Sequence, residues 1–561
     1  KGKLRIVAPY VIKALSAECG DLDSSYYAVQ AVTHLITHVG SEQTSDFRPF
    51  LQHAIETIKR LISAASSGVY NAEDKACEAM DLFDELFESE HAALVGTYVK
   101  PIVELCIAAA ATSSLDDAVR VKAITFLGRI AKLKKKAMIK TKLYINMIDC
   151  LFPILCAPSN ELDGDDSDDE DDPENPESKT PPSAASQALD VLALNLPPDK
   201  FMTALLKHVE PALLSNDAGQ LKAAYYALAV TAEGCSEHIR NKLGLDKFLQ
   251  AIGNGIRDEN HPQARNAALY ALGQFSEYLQ PEISEYAGQI LPVLFSYLDS
   301  TMAAVHSQGD QGKDPAGLDR IFYALEVFSE NLEEKLAPFL DELMKRLLPM
   351  MSVSNDGSTT SIHVRELAIS GVGSAANAVG SKILPYFDTV MTNLKHYLSL
   401  DYQEEENQLL LTQSMDTLGA MARAIGGQDV QGNPAILASL TFSPAVLAEE
   451  CCKLALDLVT KYDDPDIRKC AYGLFGSVAY VAKAEMAAVL PTIIARILES
   501  VTSKEGISLE YKEEEIKALG GALALDELNG DDEEDEEDFV SLENGQMVKA
   551  DEDDADLDGV D

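Results

Sequence analysis

The sequence predicts an all-helical protein built from repeated helix pairs, and three observations predict it. A short motif recurs around Leu228, Leu272 and Leu325, where each leucine follows Tyr-Ala, and the second and third copies also share Phe-Ser-Glu further on. Apolar residues flank each copy at helical spacing, as at Ala268, Leu272 and Phe275. Patterns typical of strands are nearly absent. Because a recurring helical unit can bury its apolar face only against its neighbours, we expect a stacked array.

The motif extends in both directions to ten positions, which we call anchor residues, and the helix around each is its anchor helix. They are Val32, Leu82, Leu127, Leu192, Leu228, Leu272, Leu325, Val372, Leu418 and Leu474. Asp-rich turns such as 463–466 precede several anchor helices. A second helix is expected between anchors, starting at Pro292, Pro385 or Pro491 in three repeats. A helix pair with this period is typical of HEAT repeats, so the predicted fold is a HEAT-repeat superhelical solenoid of about ten helix pairs.

Two acidic segments interrupt the period. Residues 161–178 contain eleven carboxylates and no basic residue, and residues 526–561 contain eighteen carboxylates and one lysine. Such blocks repel themselves and cannot collapse into a core, so both are predicted to be disordered. The predicted organisation is HEAT repeats at 1–160, an acidic disordered loop at 161–183, HEAT repeats at 184–522 and an acidic disordered segment at 523–561.

The overall charge and the cysteines exclude several classes of protein. The formal net charge is −45, which opposes direct binding to a nucleic acid backbone. The nine cysteines are scattered and form no C-x-x-C pair, so neither a zinc ribbon nor a disulfide framework is expected. The apolar stretch at 103–111 is too short to span a membrane, and no membrane partner is expected. The chain opens on Lys1 within a helical pattern, so we expect a fragment.

Catalytic and cofactor motifs are weak. His34 and His38 have the spacing of a metal-binding pair, but no intervening acid or third ligand accompanies them. Residues 371–376 imitate a dinucleotide fingerprint, yet they lie inside an anchor helix with no strand before them, which favours close helix packing. Vicinal Cys451 and Cys452 are interpreted as small packing residues. We therefore expect no metal, no cofactor and no enzymatic activity.

The anchor helices provide a candidate binding surface. Tyr270, Gln274 and Glu277 lie at i, i+4 and i+7, a stripe turned away from Leu272 and Phe275. Equivalent positions in the neighbouring repeats complete the predicted cargo-binding set: Tyr226, Glu233, Tyr270, Gln274, Glu277, Tyr323 and Glu330. A solenoid aligns such positions along its concave side. Two interpretations remain open: a ladder that faces a partner, or tyrosines that pack between repeats with solvated glutamates.

The acidic loop has two interpretations as well. Its densest part is Asp165, Asp166, Asp168, Asp169, Glu170, Asp171 and Asp172. The loop either only aids solubility, or it is a tethered polyanion that competes for or shields a basic ligand through charge complementarity. Upstream, six lysines occupy residues 132–142. They either favour a helix C-terminus or receive the acidic loop when no ligand is present.

Four segments carry a resemblance to a known family. They are residues 76–90, 265–277, 447–452 and 463–470, and the likeness extends over about 70–510. These segments resemble the importin beta superfamily (karyopherin beta) of nuclear import receptors. The resemblance implies a receptor that carries basic cargo such as histones and ribosomal proteins, passes the nuclear pore on Phe-Gly nucleoporin repeats, releases cargo to the Ran GTPase in its GTP form, and shuttles between cytoplasm and nucleus. It also implies that N-terminal and C-terminal repeats lie outside this chain.

The predicted function is therefore that of a monomeric nuclear import receptor that binds basic cargo on its concave surface. Two alternatives share the repeats and the acidic tracts. One is a static HEAT-repeat scaffold subunit, and the other is a histone chaperone that stores its ligand. Release of cargo by Ran-GTP distinguishes the receptor from both, because neither alternative should respond to the nucleotide state.

Overall fold

The computed structural model describes residues 2–16, 19–37, 44–88, 98–158, 180–308, 317–352, 361–403, 405–426, 447–462, 464–502, 507–510, 539–541 and 547–550. The chain divides into two compact units, Lys1–Leu440 and Thr441–Asp561. Helices dominate the described part of both units. The predicted all-helical repeat architecture is confirmed.

Twenty α-helices are described in the first unit. They are α1 (Gly2–Leu15), α2 (Leu22–Thr37), α3 (Thr44–Ser66), α4 (Ala72–Glu88), α5 (Val99–Ala111), α6 (Asp117–Leu133), α7 (Lys135–Thr141), α8 (Leu143–Leu155), α9 (Pro181–Asn195), α10 (Pro198–Leu213), α11 (Ala218–Ala229), α12 (Thr231–His238), α13 (Leu245–Ile256), α14 (Pro262–Tyr278), α15 (Ala287–Gln308), α16 (Leu318–Leu332), α17 (Leu340–Met350), α18 (Ile362–Val379), α19 (Phe387–Tyr397) and α20 (Glu405–Gly426).

The anchor residues form the centre of the packing between repeats. All ten are 3% exposed or less. In the first unit their helices α2, α4, α6 and α9 pack in succession, and so do α11, α14, α16, α18 and α20. The anchor helix of Leu228 breaks at Val230, so that its second half, α12, packs on α9. We call this succession of anchor helices the anchor row, and the helices between them the outer helices.

Two of the three prolines that were expected to start outer helices, Pro292 and Pro385, do not lie at a helix start. Pro292 lies inside α15, which begins five residues earlier at Ala287, and Pro385 lies in the 3-10 segment Gly380–Tyr386 before α19. Short 3-10 segments, here and at Glu282–Tyr286, lead directly into these outer helices. Because the preceding 3-10 segment is already helical, the α-helix that follows it does not need a proline at its first turn. Prolines do open α9, α10 and α14.

Ion pairs join neighbouring repeats at the repeat period. Arg129 contacts Asp84 at 2.9 Å, Arg240 contacts Glu282 at 2.9 Å, and an Arg346 nitrogen lies 2.8 Å from Asp299. Their partners lie 45, 42 and 47 residues away along the chain. Each pair is partly exposed to solvent, where an ion pair contributes only about 0–1 kcal/mol. These contacts therefore help define the register of one repeat on the next more than they stabilise the fold.

The second unit contains the last anchor. Its α-helices are α21 (Cys452–Lys461), α22 (Pro465–Ala482) and α23 (Leu490–Thr502), with a π-helical turn at Leu447–Cys451 and a 3-10 segment at Lys483–Ala488. The Asp464 carboxylate accepts hydrogen bonds from the backbone N–H groups of Asp466 and Ile467, and Pro465 follows it, so the predicted Asp-rich turn caps α22. Pro491 is the second residue of α23, close to its expected place.

Three short strands were not predicted. They are β1 (Ile507–Glu510), β2 (Phe539–Ser541) and β3 (Met547–Ala550), and they form an antiparallel sheet of order β1-β3-β2. Strand β1 lies within 184–522, which was predicted to be helical throughout, and β2 and β3 lie within the predicted disordered segment 523–561. Short apolar stretches such as 539–540 and 547–548 separate the acidic runs there and favour strands locally. The acidic runs themselves lie outside the described residues.

The acidic loop ends earlier than the predicted residue 183. Thr180 caps α9 by accepting a hydrogen bond from the Ser183 N–H, and Pro181 and Pro182 occupy the first helical turn. The loop was extended too far because both prolines were attributed to it, although proline is favoured at the start of a helix. Residues 161–179, including Asp165–Asp172, lie outside the described residues.

Among the described helices, no single one is long and apolar enough to cross a membrane, although the bent pair Pro465–Ala488 and Leu490–Val501 passes the same criteria of length and composition when taken together.

Candidate functional site

The three predicted tyrosines contact one another along the anchor row. The ring centroids of Tyr226 and Tyr270 are 5.6 Å apart, and those of Tyr270 and Tyr323 are 6.3 Å apart. Tyr226 is only 6% exposed, so the prediction that its ring faces a partner does not fit the structure. Tyr270 and Tyr323 are half-buried. The structure therefore supports packing between repeats for Tyr226 and leaves Tyr270 and Tyr323 partly exposed.

Gln274 and Gly273 explain how Tyr323 is held. The Gln274 amide nitrogen donates a hydrogen bond to the Tyr323 hydroxyl at 3.1 Å. A side chain at Gly273 would place its Cβ 2.3 Å from the Tyr323 ring, so only glycine permits this approach. The Arg320 guanidinium lies 5.8 Å from the centre of the Tyr270 ring, within range of a cation–π interaction. Sequence analysis missed this arginine because it lies outside the repeated motif.

Three predicted glutamates, Glu233, Glu277 and Glu330, are exposed on the anchor row. Burial, together with the neighbouring Glu233 charge, raises the pKa of Asp190 on α9 to about 6. Burial and the charges of Glu277 and Glu233 also raise the pKa of Tyr278. Asp190, Glu233, Glu277 and Tyr278 therefore form one acidic cluster across α9, α12 and α14. Asp190 was not identified from sequence, because its position two residues before the anchor is acidic in only one other repeat, at Asp416.

A second acidic cluster lies between α16 and α18. Burial raises the pKa of Glu326 to about 7, opposed by a hydrogen bond with Ser370 and supported by the charges of Glu330 and Glu366. The Oε1 atom of Glu326 is buried and has no hydrogen-bond partner. Burial is the main cause of both raised pKa values, and neighbouring carboxylates add to it, so the negative charge of Asp190 and of Glu326 is disfavoured where no cation lies nearby.

One end of the second cluster is compensated. The Nε2 atom of His363 lies 2.5 Å from Asp319, and its Nδ1 atom lies 3.4 Å from Glu366. Hydrogen bonds to these two carboxylates raise the pKa of His363 to about 10, so the imidazole is positively charged at neutral pH. The protein thus pairs a cation with the carboxylates at this end, while Glu326 and Glu330 have no such cation described beside them.

The other motifs identified in the sequence lie on the histidine pair, on the glycines of 371–376 and on the vicinal cysteines. Within the described residues, no group of three or more His, Cys, Asp or Glu could hold a metal ion. His34 lies on α2, and His38 lies outside the described residues. Residues 371–376 lie inside α18, where a Cβ at Gly373 would lie 3.1 Å from the Thr417 hydroxyl of α20, so these glycines permit close helix packing as predicted. Cys451 and Cys452 are buried, as expected of packing residues.

The described anchor row can thus present exposed carboxylates beside aromatic ring edges. Carboxylates accept hydrogen bonds from ammonium and guanidinium groups, and aromatic faces attract the same cations. The arrangement suits lysine and arginine side chains of an extended segment, because acidic groups recur from one repeat to the next.

Comparisons with known proteins agree with this architecture. No family model matches the chain. Importin-4 of Mus musculus is 34% identical over 491 residues, which cover 87% of this chain and 42% of the mouse protein. Importin-4 of Homo sapiens is 34% identical over 509 residues, covering 89% of this chain and 43% of the human protein. The chain therefore spans less than half the length of these relatives.

Two solved structures share the fold. Kap121p bound to Ste12p matches 98% of this chain and 47% of its own, with a TM-score of 0.72 and 19% sequence identity. Kap121p bound to Nup53p matches 98% of this chain and 49% of its own, with a TM-score of 0.70 and 19% identity. At this identity the likeness concerns the fold.

Proposed function

Because the chain belongs to the importin beta superfamily, we propose that it is part of a nuclear import receptor and that its anchor row binds basic segments of protein cargo. The observation that carries the proposal is the accumulation of carboxylates along the anchor row. Glu233, Glu277 and Glu330 are exposed there, and Asp190 and Glu326 have raised pKa values. A cationic ligand would supply the missing positive charge.

Histones and ribosomal proteins are the proposed cargo, because their lysine-rich and arginine-rich segments complement this surface. Their binding depends on charge complementarity, which accelerates association and is screened by salt. The acidic loop at 161–178 adds a tethered polyanion that raises the local attraction for the same ligands. Deleting the loop should weaken binding of a histone tail peptide at low salt more than at high salt.

A triple variant tests the anchor row directly. Glu233→Gln, Glu277→Gln and Glu330→Gln together should weaken binding of a lysine-rich histone tail peptide about tenfold at low salt, since each exposed charge contact contributes about 0.5 kcal/mol. The matched control neutralises three exposed carboxylates on outer helices: Glu210→Gln, Asp246→Asn and Asp388→Asn. Fluorescence anisotropy measures both. Equal weakening in the two variants would contradict a site on the anchor row, because it would reflect net charge alone.

Release of cargo by Ran-GTP is the second part of the proposal. An effector can release a ligand only if it binds better to a state in which the ligand binds worse. Adding Ran-GTP to the full-length protein with bound histone should therefore displace the histone, whereas Ran-GDP should not. Retention of the histone in both nucleotide states would favour the scaffold or the chaperone. Binding to nucleoporins can be tested separately, and Kap121p bound to Nup53p provides the structural parallel.

A further inference from the structure

Five exposed lysines stand close together on a chain that is otherwise strongly acidic. They lie at the end of α6, along α7 and at the start of α8, and we call them the lysine patch: Lys132, Lys135, Lys136, Lys140 and Lys142. A sixth lysine, Lys134, differs from them because its ammonium lies over the Phe87 ring, 5.8 Å from the centre. Met138 is fully buried, and α7 packs against both α6 and α8. The patch therefore rests on a fixed backbone.

The described residues provide no ion pair for any lysine of the patch. Elsewhere the basic residues of this chain commonly pair with acids of a neighbouring repeat, as Lys122 does with Asp81 and Arg129 with Asp84 on the adjoining helices α4 and α6. Five like charges placed within eleven residues of the chain repel one another. A negatively charged ligand would reduce this repulsion.

Helix ends explain only part of the patch. Lys132 and Lys140 lie in the last turns of α6 and α7, where a cation is favoured by the helix dipole. Lys135 and Lys136 instead open α7, and Lys142 immediately precedes α8. Neither helix has an acidic residue in its first turn. Lys135 and Lys136 therefore lie at an end where the dipole of α7 disfavours them, whereas Lys142 also caps the C-terminus of α7, where a cation is favoured. Stabilisation of helix ends therefore does not account for Lys135 and Lys136.

We propose that the lysine patch binds a short acidic segment of a partner protein. Its size favours a peptide, because α7 spans seven residues, about 10 Å at 1.5 Å per residue. A longer polyanion such as nucleic acid would extend beyond the patch onto a chain whose net charge is −45 and would be repelled there. The lysine patch differs from the proposed cargo surface in the charge of the ligand that it takes.

The test measures binding of a fluorescein-labelled short oligoglutamate peptide to the whole chain at low salt. In the patch variant, Lys135, Lys136, Lys140 and Lys142 are all replaced by glutamine. The control variant makes the same change in charge at four exposed lysines elsewhere: Lys59, Lys207, Lys247 and Lys345. We expect the patch variant to bind the peptide about tenfold more weakly and the control variant to bind within about twofold of the parent.

Four outcomes would overturn the proposal. The first is that the parent chain does not bind the peptide, and the second is that both variants lose binding equally, which would indicate an effect of net charge. The third is tighter, patch-dependent binding of an oligonucleotide of equal charge, which would assign the surface to nucleic acid. The fourth is binding that requires deletion of residues 161–178, since the chain's own acidic segment would then be the ligand. Circular dichroism confirms that each variant is folded.

Discussion

Replacing Glu326 by glutamine should stabilise the protein in a manner that depends on pH. Burial raises the pKa of this carboxyl group to about 7, from 4.5 in an unfolded chain, and its Oε1 atom has no hydrogen-bond partner. The native state therefore favours the neutral acid. Glutamine is nearly isosteric with the protonated side chain and never ionises, so the variant keeps the packing against Ser370 and removes the charge.

The magnitude follows from the difference between the two pKa values. The folded protein holds the proton of Glu326 between pH 4.5 and 7 while the unfolded chain has lost it, so this group's contribution to stability falls as pH rises through that window. A difference of about 2.5 pKa units at 1.36 kcal/mol each sets an upper limit of about 3 kcal/mol. Glu326→Gln should match the parent at pH 4.5 and exceed it at pH 8 by up to this amount.

Urea denaturation followed by far-ultraviolet circular dichroism measures the effect, because the chain has no tryptophan to report by fluorescence. The quantity to compare is the difference in midpoint between variant and parent at pH 4.5, 6 and 8, in which the titration of other groups cancels. Glu210→Gln is the control, because that exposed glutamate on α10 is not among the charges that act on Glu326. A difference in midpoint that is the same at all three pH values would refute the assigned cause.

Three further predictions concern packing, a helix cap and a histidine. Gly273→Ala should destabilise the protein by about 1–2 kcal/mol, because the new methyl group crowds the Tyr323 ring by more than the gain in helix propensity offsets. Gly476→Ala is the control: a Cβ there would have no neighbour within 4 Å, so this variant should be neutral or stabilising in the same urea assay. Thr180→Ala should cost about 1 kcal/mol of helix stability through loss of the α9 cap, while Thr180→Ser should restore it; hydrogen exchange at 181–195 checks both. The pKa of His363 is raised to about 10, so its contribution to the free energy of unfolding is present below pH 6.5 and is lost as pH rises towards 10. Urea denaturation of His363→Gln at pH 6 and pH 9 should therefore lack the part of the decrease in stability that this histidine causes in the parent.

The fold could be predicted from sequence because the buried apolar positions recur at the repeat period. Each anchor residue must be apolar in its own repeat for the same reason, namely that it packs between two helix pairs, and all ten are buried. Two features could not be predicted in the same way: the end of the acidic loop at Thr180, and the strands β1, β2 and β3. A Thr-Pro-Pro sequence is compatible with both a loop and a helix start, and strands of three or four residues are too short for a clear alternating pattern.

The candidate site was predictable only where it repeats. Glu233, Glu277 and Glu330 occupy one motif position and were found. Glu326 occupies a position that is acidic in no other repeat, and Asp190 shares its position with one other acid, Asp416. Their importance arises from burial and from charges on neighbouring helices, which are properties of the stacked array and not of any one repeat. The surface proposed to bind basic segments thus combines two kinds of acidic group. The exposed glutamates recur at one motif position, whereas the half-buried carboxylates distinguish one stretch of the row from the next.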